Sequence, residues 1–551
     1  MNRDYRSASG IANALECRHA FLTRSETGLS EAVDHGITVT EIAAMDQSID
    51  LYKETTAAFV GRALRGPLNS PVLLKNFGEF RRRFGDIWSR SSLGPAVNQF
   101  FEHGGRRLYV VRVANNARGA MICLPASGTA VVLRALEPGS TEYIRAAVDY
   151  DGIDDDELFN LTLQRVSPAT GLVVDQELYK KVSYKEEAEN FVGDALLTST
   201  LAHLEQPYAA HRPEPTLRQG RRFESSYVDA TQAGTDGTEL TDYDLIGSRK
   251  ARTGLFALEN VESFDVLYLP PTGKSTDAGP AAILAAELYC RHRGAMLIVD
   301  PRSEWATAED AVHGVREMGY ASPNMLGYFP RVLQRRGPDE PSRPAGGAIA
   351  GLLCKQDRTH GPWQDLDQQG MGFRRKLVPA VDVDRGDRQL LNRAGLNVLA
   401  KGPAGRARLI GSVTMGRGSE ARRAYASLSV RRFCLQIVNS IASAARWAVF
   451  EPDIATVARR IRAQVLTYLY GLADLGAFAD ERFVVQCDTE ASYRADSEQH
   501  GVTILLVFHP TGSDHPISLT LHLTPAGCRV GSTAFAPSIE DSPETTSLHL
   551  T

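Results

Sequence analysis

Between residues 264 and 329 short apolar runs alternate with helical stretches, and this alternation narrows the fold more than any other feature of the chain. Phe264–Leu269, Ala295–Val299 and Met325–Phe329 read as buried strands, and residues 281–292 and 305–318 as the helices between them. Strands separated by helices pair in parallel through crossovers, so residues 245–415 are expected to form a parallel sheet. A second α/β texture begins at Thr55. It has a strand Ala57–Gly61, a helix capped by Asn76 with Phe77, Phe80 and Phe84 on one face, a helix after Ser92 that stops at Gly104-Gly105, and a buried strand Leu108–Val113.

The segments around these units differ in kind. Residues 120–205 are strand-rich, with Tyr143–Val148 and Leu158–Val166 flanking the acidic turn Asp149–Glu157, and residues 206–240 read as a polar linker or surface loop. The C-terminal part opens with two helical segments, 430–449 and 455–475, and ends in strands Phe483–Gln486, Val502–Phe508 and Ile517–Leu523. After Thr524 a polar tail shows no periodicity, and it is expected to be mobile or to be ordered only by a partner. The first 54 residues read as an arm whose single strand signal, Gly36–Ile42 with Ile37 and Val39 alternating with threonines, has no hairpin partner nearby.

Composition excludes several classes. At 551 residues the chain is multidomain, and 43% hydrophobic content is that of a folded protein. With 61 Lys and Arg against 66 Asp and Glu, the net charge of -5 recruits neither nucleic acid nor anionic lipid. No apolar run reaches the roughly 18 to 20 residues that span a bilayer, and the N-terminus lacks a signal peptide's apolar core, so folding in a cytoplasm is expected.

Motifs for chemistry fail on inspection. Thr272-Gly-Lys-Ser-Thr276 follows a strand as a phosphate loop would, but Tyr268 stands where its first glycine belongs, and Pro270 and Pro271 remove N–H groups from the cradle. Asp300 ends a strand where a hydrolase could place an acid, yet no G-x-S-x-G elbow accompanies it. The acidic turn lacks EF-hand spacing, and the seven cysteines (17, 123, 290, 354, 434, 487 and 528) show no metal-finger spacing. No catalytic residue, cofactor or metal is expected. Free thiols are the default, with pairing between subunits left open by the odd count. Arg81-Arg82-Arg83 read as a solvated face, while Arg431-Arg432, at the start of a long apolar helix, are placed to present positive charge to a partner.

Several blocks resemble, in order, those of contractile phage tail sheath proteins. They are Thr55–Pro71 with Phe77–Gly85, Gly104–Val113, Phe264–Pro271, Ile298–Pro301, Met325–Pro330 and Pro344–Gly351, then Leu428–Phe433, Trp447–Pro452 and Phe483–Asp488. The resemblance implies an α/β multidomain fold: a subtilisin-like parallel-sheet domain without its triad, an inserted β-rich domain, and an α+β C-terminal domain with extended N- and C-terminal arms. The implied boundaries are 1–54 (arm), 55–119 (α/β part of the sheath core), 120–240 (inserted domain and linker), 241–425 (subtilisin-like domain), 426–523 (polymerisation domain) and 524–551 (tail).

The implied function is that of a structural subunit, not an enzyme, polymerising around an inner tail tube and contracting to drive it through the host envelope. A bacteriophage tail and a phage-derived injection device or tailocin both fit. Implied partners are copies of the chain in six-fold rings, the tube, the baseplate and the tail terminator, without nucleic acid or membrane insertion, in a virion tail assembled in a bacterial cytoplasm. In such sheaths arm strands join a neighbour's sheet. The matching strands are Gly36–Ile42 (Gly36, Ile37, Val39, Ile42) and Ile517–Leu523 (Ile517, Leu519, Leu521, Leu523), and the hosts are Phe483–Gln486 (Phe483, Val485) and Val502–Phe508 (Val502, Ile504, Leu506). Arg431 and Arg432 become candidates for facing the tube. Cys17 and Cys528, on segments that exceed the family pattern, become candidates for an intersubunit disulfide.

Overall fold

A computed structural model describes residues 48–167, 170–216, 227–273, 276–334, 341–367, 371–374, 377–402, 405–418, 425–450, 454–487, 502–524 and 527–531. The expected arm strand Gly36–Ile42, Cys17 and the tail beyond residue 531 lie outside them.

The first strands are β1 (Ala57–Gly61), β2 (Val72–Leu74) and β3 (Leu108–Arg112), with helices α1 (Phe77–Phe84) and α2 (Leu93–Glu102) between β2 and β3. An insertion follows: β4 (Met121–Ala126), β5 (Thr129–Ala135), β6 (Ile144–Asp149), β7 (Leu158–Val166), β8 (Val173–Ser183), β9 (Ala202–Leu204) and β10 (Val228–Asp229). The chain then returns to alternation with β11 (Val266–Tyr268), α3 (Pro280–Arg293), β12 (Met296–Val299), α4 (Ala308–Glu317) and β13 (Met325–Phe329). A short β14 (Val332–Gln334), α5 (Gly346–His360), β15 (Leu377–Pro379), α6 (Arg385–Arg393), β16 (Leu396–Lys401) and β17 (Ala407–Ile410) complete this part.

One eight-stranded sheet, in the order β17-β16-β13-β12-β11-β1-β3-β2, joins the two α/β textures seen in the sequence. Its inner strands are parallel, and β2 and β17 close the two edges antiparallel. The period of two divides β1 between two cores. Ala57 and Phe59 pack under α1, α2 and α5, while Ala58 and Val60 pack under α3, α4 and α6. The predicted cap is present, with Asn76 Oδ1 accepting from the Glu79 N–H at 2.9 Å.

The insertion has its own core, built from Ile122, Leu133, Val148, Phe159 and Leu163 between a β4-β5-β9 sheet and a β10-β6-β7-β8 sheet. Its base is tied to the body by Arg112, which is buried and donates to the carbonyls of Ala63 (3.1 Å), Gly66 (2.6 Å) and Pro138 (2.7 Å). Burial lowers that guanidinium to about 10. One ion pair adds to the tie, Arg83–Glu137 at 2.9 Å, and within the insertion Arg165 backs it by reaching Glu137 at 3.5 Å and Glu142 at 2.5 Å. The stretch read as a linker is more engaged than expected: β10 pairs with β6, and residues 115–121 bridge to 232–238.

Candidate polymerisation interface

The C-terminal part places two helices, α7 (Leu428–Ala444) and α8 (Ile454–Asp474), beneath a sheet of β18 (Val484–Gln486), β19 (Val502–Phe508), β20 (Ile517–Thr524) and β21 (Gly527–Gly531) in that order. Alternation in β19 and β20 sends one side chain in two toward the helices. The antiparallel register then sets Val502 opposite Leu523, Ile504 opposite Leu521, Leu506 opposite Leu519 and Phe508 opposite Ile517. All eight are buried on Phe433, Ile437, Ile461 and Leu469. Val485 pairs with Leu506, and Phe483 stacks edge-on against Phe478 with ring centroids 4.7 Å apart.

The strands named from sequence as host and guest therefore meet residue for residue, within one chain. β21 was not legible there: the tail expected to be irregular from residue 524 instead pairs Gly527–Gly531 with β20. Cys528 lies half-buried in that strand opposite Leu523, and burial pushes its thiol up to about 11, which keeps the thiolate scarce at neutral pH.

Arg431 and Arg432 do not face outward, and the expectation that they meet a tube is corrected. Arg432 pairs with Asp357 of α5, both side chains being more than nine-tenths buried, and the same Oδ2 accepts from Thr55 Oγ1. Arg431 donates to Asn324 Oδ1 at 2.7 Å and lies 4.6 Å over the Tyr425 ring. With Asn439 donating to Gly294 O at 2.9 Å and Ser429 to Asp365 at 2.7 Å, these residues bolt α7 to the central sheet. A polar cavity of about 40 Å³ remains at the junction, lined by Lys53, Asp265, Asp357, Arg432 and Gln436.

At the C-terminal ends of the central strands a small cavity lies beside Asp300, lined by Leu269, Asp277, Val299 and Tyr320, while the switch point of the sheet is filled. At the reversal of strand order between β1 and β11, where such sheets hold ligands, Leu93 lies against Gly61 and Ser91 Oγ donates to the Arg62 carbonyl. Asp300, at the end of β12, accepts from Tyr268 Oη and from the Gly346 N–H at 3.0 Å, so its neighbours are a phenol and a helix start in place of a serine–histidine pair. Gly346 is required there, since a Cβ would fall 2.3 Å from the Tyr268 ring.

Burial raises Asp300 from 3.8 to about 6, against the bond from Tyr268 and the charge of Arg331, which lower it, while Asp277 adds to the rise. A carboxyl raised in the folded state contributes stability that is full below its unfolded value and is lost as pH climbs through the folded one. Thermal unfolding is therefore expected to show a loss of about 3 kcal/mol between roughly pH 4 and 6 from this group. Asp300→Asn should flatten that step; superimposable pH profiles for parent and variant would exclude it.

No family model matches the chain. Over 152 residues it is 30% identical to the tail sheath protein of Vibrio phage KVP40, a match spanning 26% of this chain and 21% of that relative. Solved structures share the fold over much more of its length. The sheath tail protein of Listeria innocua has a TM-score of 0.58 at 12% identity, covering 86% of this chain and 96% of its own. That of Desulfitobacterium hafniense gives 0.52 at 13%, covering 89% and 100%. The anti-feeding prophage helical sheath in its contracted state gives 0.50 at 15%, covering 88% and 98%. The chain has the fold of the tail sheath proteins, and the family resemblance carried by its sequence blocks is that of a contractile tail sheath protein.

Proposed function

We propose that this chain is the structural subunit of a contractile tail sheath, polymerising in six-fold rings around an inner tube, between a baseplate and a terminator, in a bacteriophage tail or a phage-derived injection device. The central sheet is the subtilisin-like domain of such a subunit, kept for its shape and without catalysis. The observation that carries the reading is the in-register β19–β20 ladder. The apolar face of β19 needs a strand of the pattern Ile517–Leu523, and a neighbour's copy would satisfy it as fully as the chain's own. Exchange would leave the hydrogen-bond count unchanged, so arms hold subunits together while the bodies slide and repack from an extended to a shorter, wider state.

Negative-stain electron microscopy of the purified chain is expected to show rings or tubes. A compact monomer at all concentrations and salts would overturn the reading.

A further inference from the structure

Five cations crowd one end of the central sheet, and among the described residues none of them is held in an ion pair. Arg106 and Arg107 directly precede β3, and the Arg107 carbonyl accepts from the Ala57 N–H at the start of β1, at 3.1 Å. Lys355 and Arg358 lie in the last turns of α5, where Arg358 donates twice to Gly104 O at 3.3 Å. The Lys355 stem lies 3.0 Å from where a Gly104 Cβ would stand. Arg374 is held beside them by its N–H, which donates to His103 Nε2 at 3.0 Å. Among the described residues none of the five makes an ion pair. Arg358 is held below its ordinary value by burial first and then by the charge of Arg106. Glu54, Asp357 and Glu102 are the acids felt at this end, and Asp357 is already paired with Arg432. Like charges left together in this way call for an anionic surface from elsewhere.

We infer that this basic end docks on the acidic tip of the inserted domain of a second copy of the chain; the inference rests on the sheath reading and names one of its subunit contacts. The tip is the turn between β6 and β7, where Asp149, Asp151, Asp154, Asp155, Asp156 and Glu157 fall within nine residues. Lys185 binds Glu157 and brings the exposed Glu186, Glu187 and Glu189 alongside. The two surfaces depart from opposite ends of β3. The cations sit where β1 and β3 begin, whereas the insertion leaves from the end of β3, and β6 carries the turn about 16 Å beyond its base. Among the described residues no ion pair joins these two surfaces within one chain. Between copies it is a head-to-tail contact, the kind that repeats without closing on a dimer and so suits a helical polymer.

Charge reversal tests the contact. One chain carries Arg106→Glu, Lys355→Glu and Arg374→Glu; the other carries Asp151→Lys, Asp154→Lys and Glu186→Lys. All six positions are exposed, and unchanged circular dichroism and thermal unfolding establish that both fold. At about 0.15 M salt each variant alone is expected to need at least roughly tenfold more protein than the parent to polymerise, since both of its ends carry one sign. Mixed in equal amounts they should copolymerise near the parental concentration, because both mixed contacts are attractive. Variants that polymerise alone as the parent does, or a mixture of folded variants that fails, would overturn the inference and leave the sheath reading standing. Failure of the parent itself to polymerise strikes at the sheath reading instead.

Discussion

Asp357→Ala is expected to destabilise the chain by about 3–5 kcal/mol, because it strands a buried guanidinium. Arg432 is 7% exposed and its side chain reaches only the junction between α5, α7 and the residues leading into β1. Asp265, in the same cavity, is not a ready substitute. It is half-buried, its carboxyl is raised first by burial, and it already accepts from the Thr56 N–H at 2.8 Å. Replacing both partners with apolar groups, Asp357→Leu with Arg432→Met, should recover most of the loss, since the pair's attraction is largely offset by the desolvation of its two charges. Urea unfolding of the parent, the single variant and the double variant measures this directly. A single variant within about 1 kcal/mol of the parent would show that water reaches the junction and that the pair does not hold α7 in place.

That junction also shows where sequence reading stopped. The α/β alternation was legible because each buried strand is a local apolar run and each helix carries its own cap, as Asn76 does. The host and guest strands were legible for a similar reason, alternate residues of Ile517–Leu523 and Val502–Phe508 being apolar. Arg431 and Arg432 were misread because the burial of a charge is not written beside it. Their partners are 107 and 75 residues away, at Asn324 and Asp357, and only the packing of α7 on the sheet brings them together. β21 escaped notice because Gly527–Gly531 has two glycines in five residues, and its strand form is templated by β20. The acidic turn was seen, but its complement was not. Arg106, Lys355 and Arg374 are scattered in sequence and gathered only by α5 returning to the start of β3.

Leu521→Asp is expected to undo the C-terminal sheet. Leu521 is 0% exposed, sits opposite Ile504 and packs on the helices below. Truncating such a residue to alanine costs about 2–5 kcal/mol. An unpaired carboxylate adds several more, which exceeds the margin of most domains. Val530→Asp, on β21 and 51% exposed, is the control and should shift stability by no more than about 0.5 kcal/mol. The milder Leu521→Ala opens the same cavity in the free chain and in an exchanged polymer, so the location of β20 is read by crosslinking instead. Leu505→Cys with Thr520→Cys sets two thiols opposite each other across β19 and β20. If β20 serves a neighbour's sheet in the polymer, oxidation should join neighbours into a ladder on a non-reducing gel. Bonds confined to single chains would show that β20 stays on its own sheet, and that other surfaces hold the polymer together.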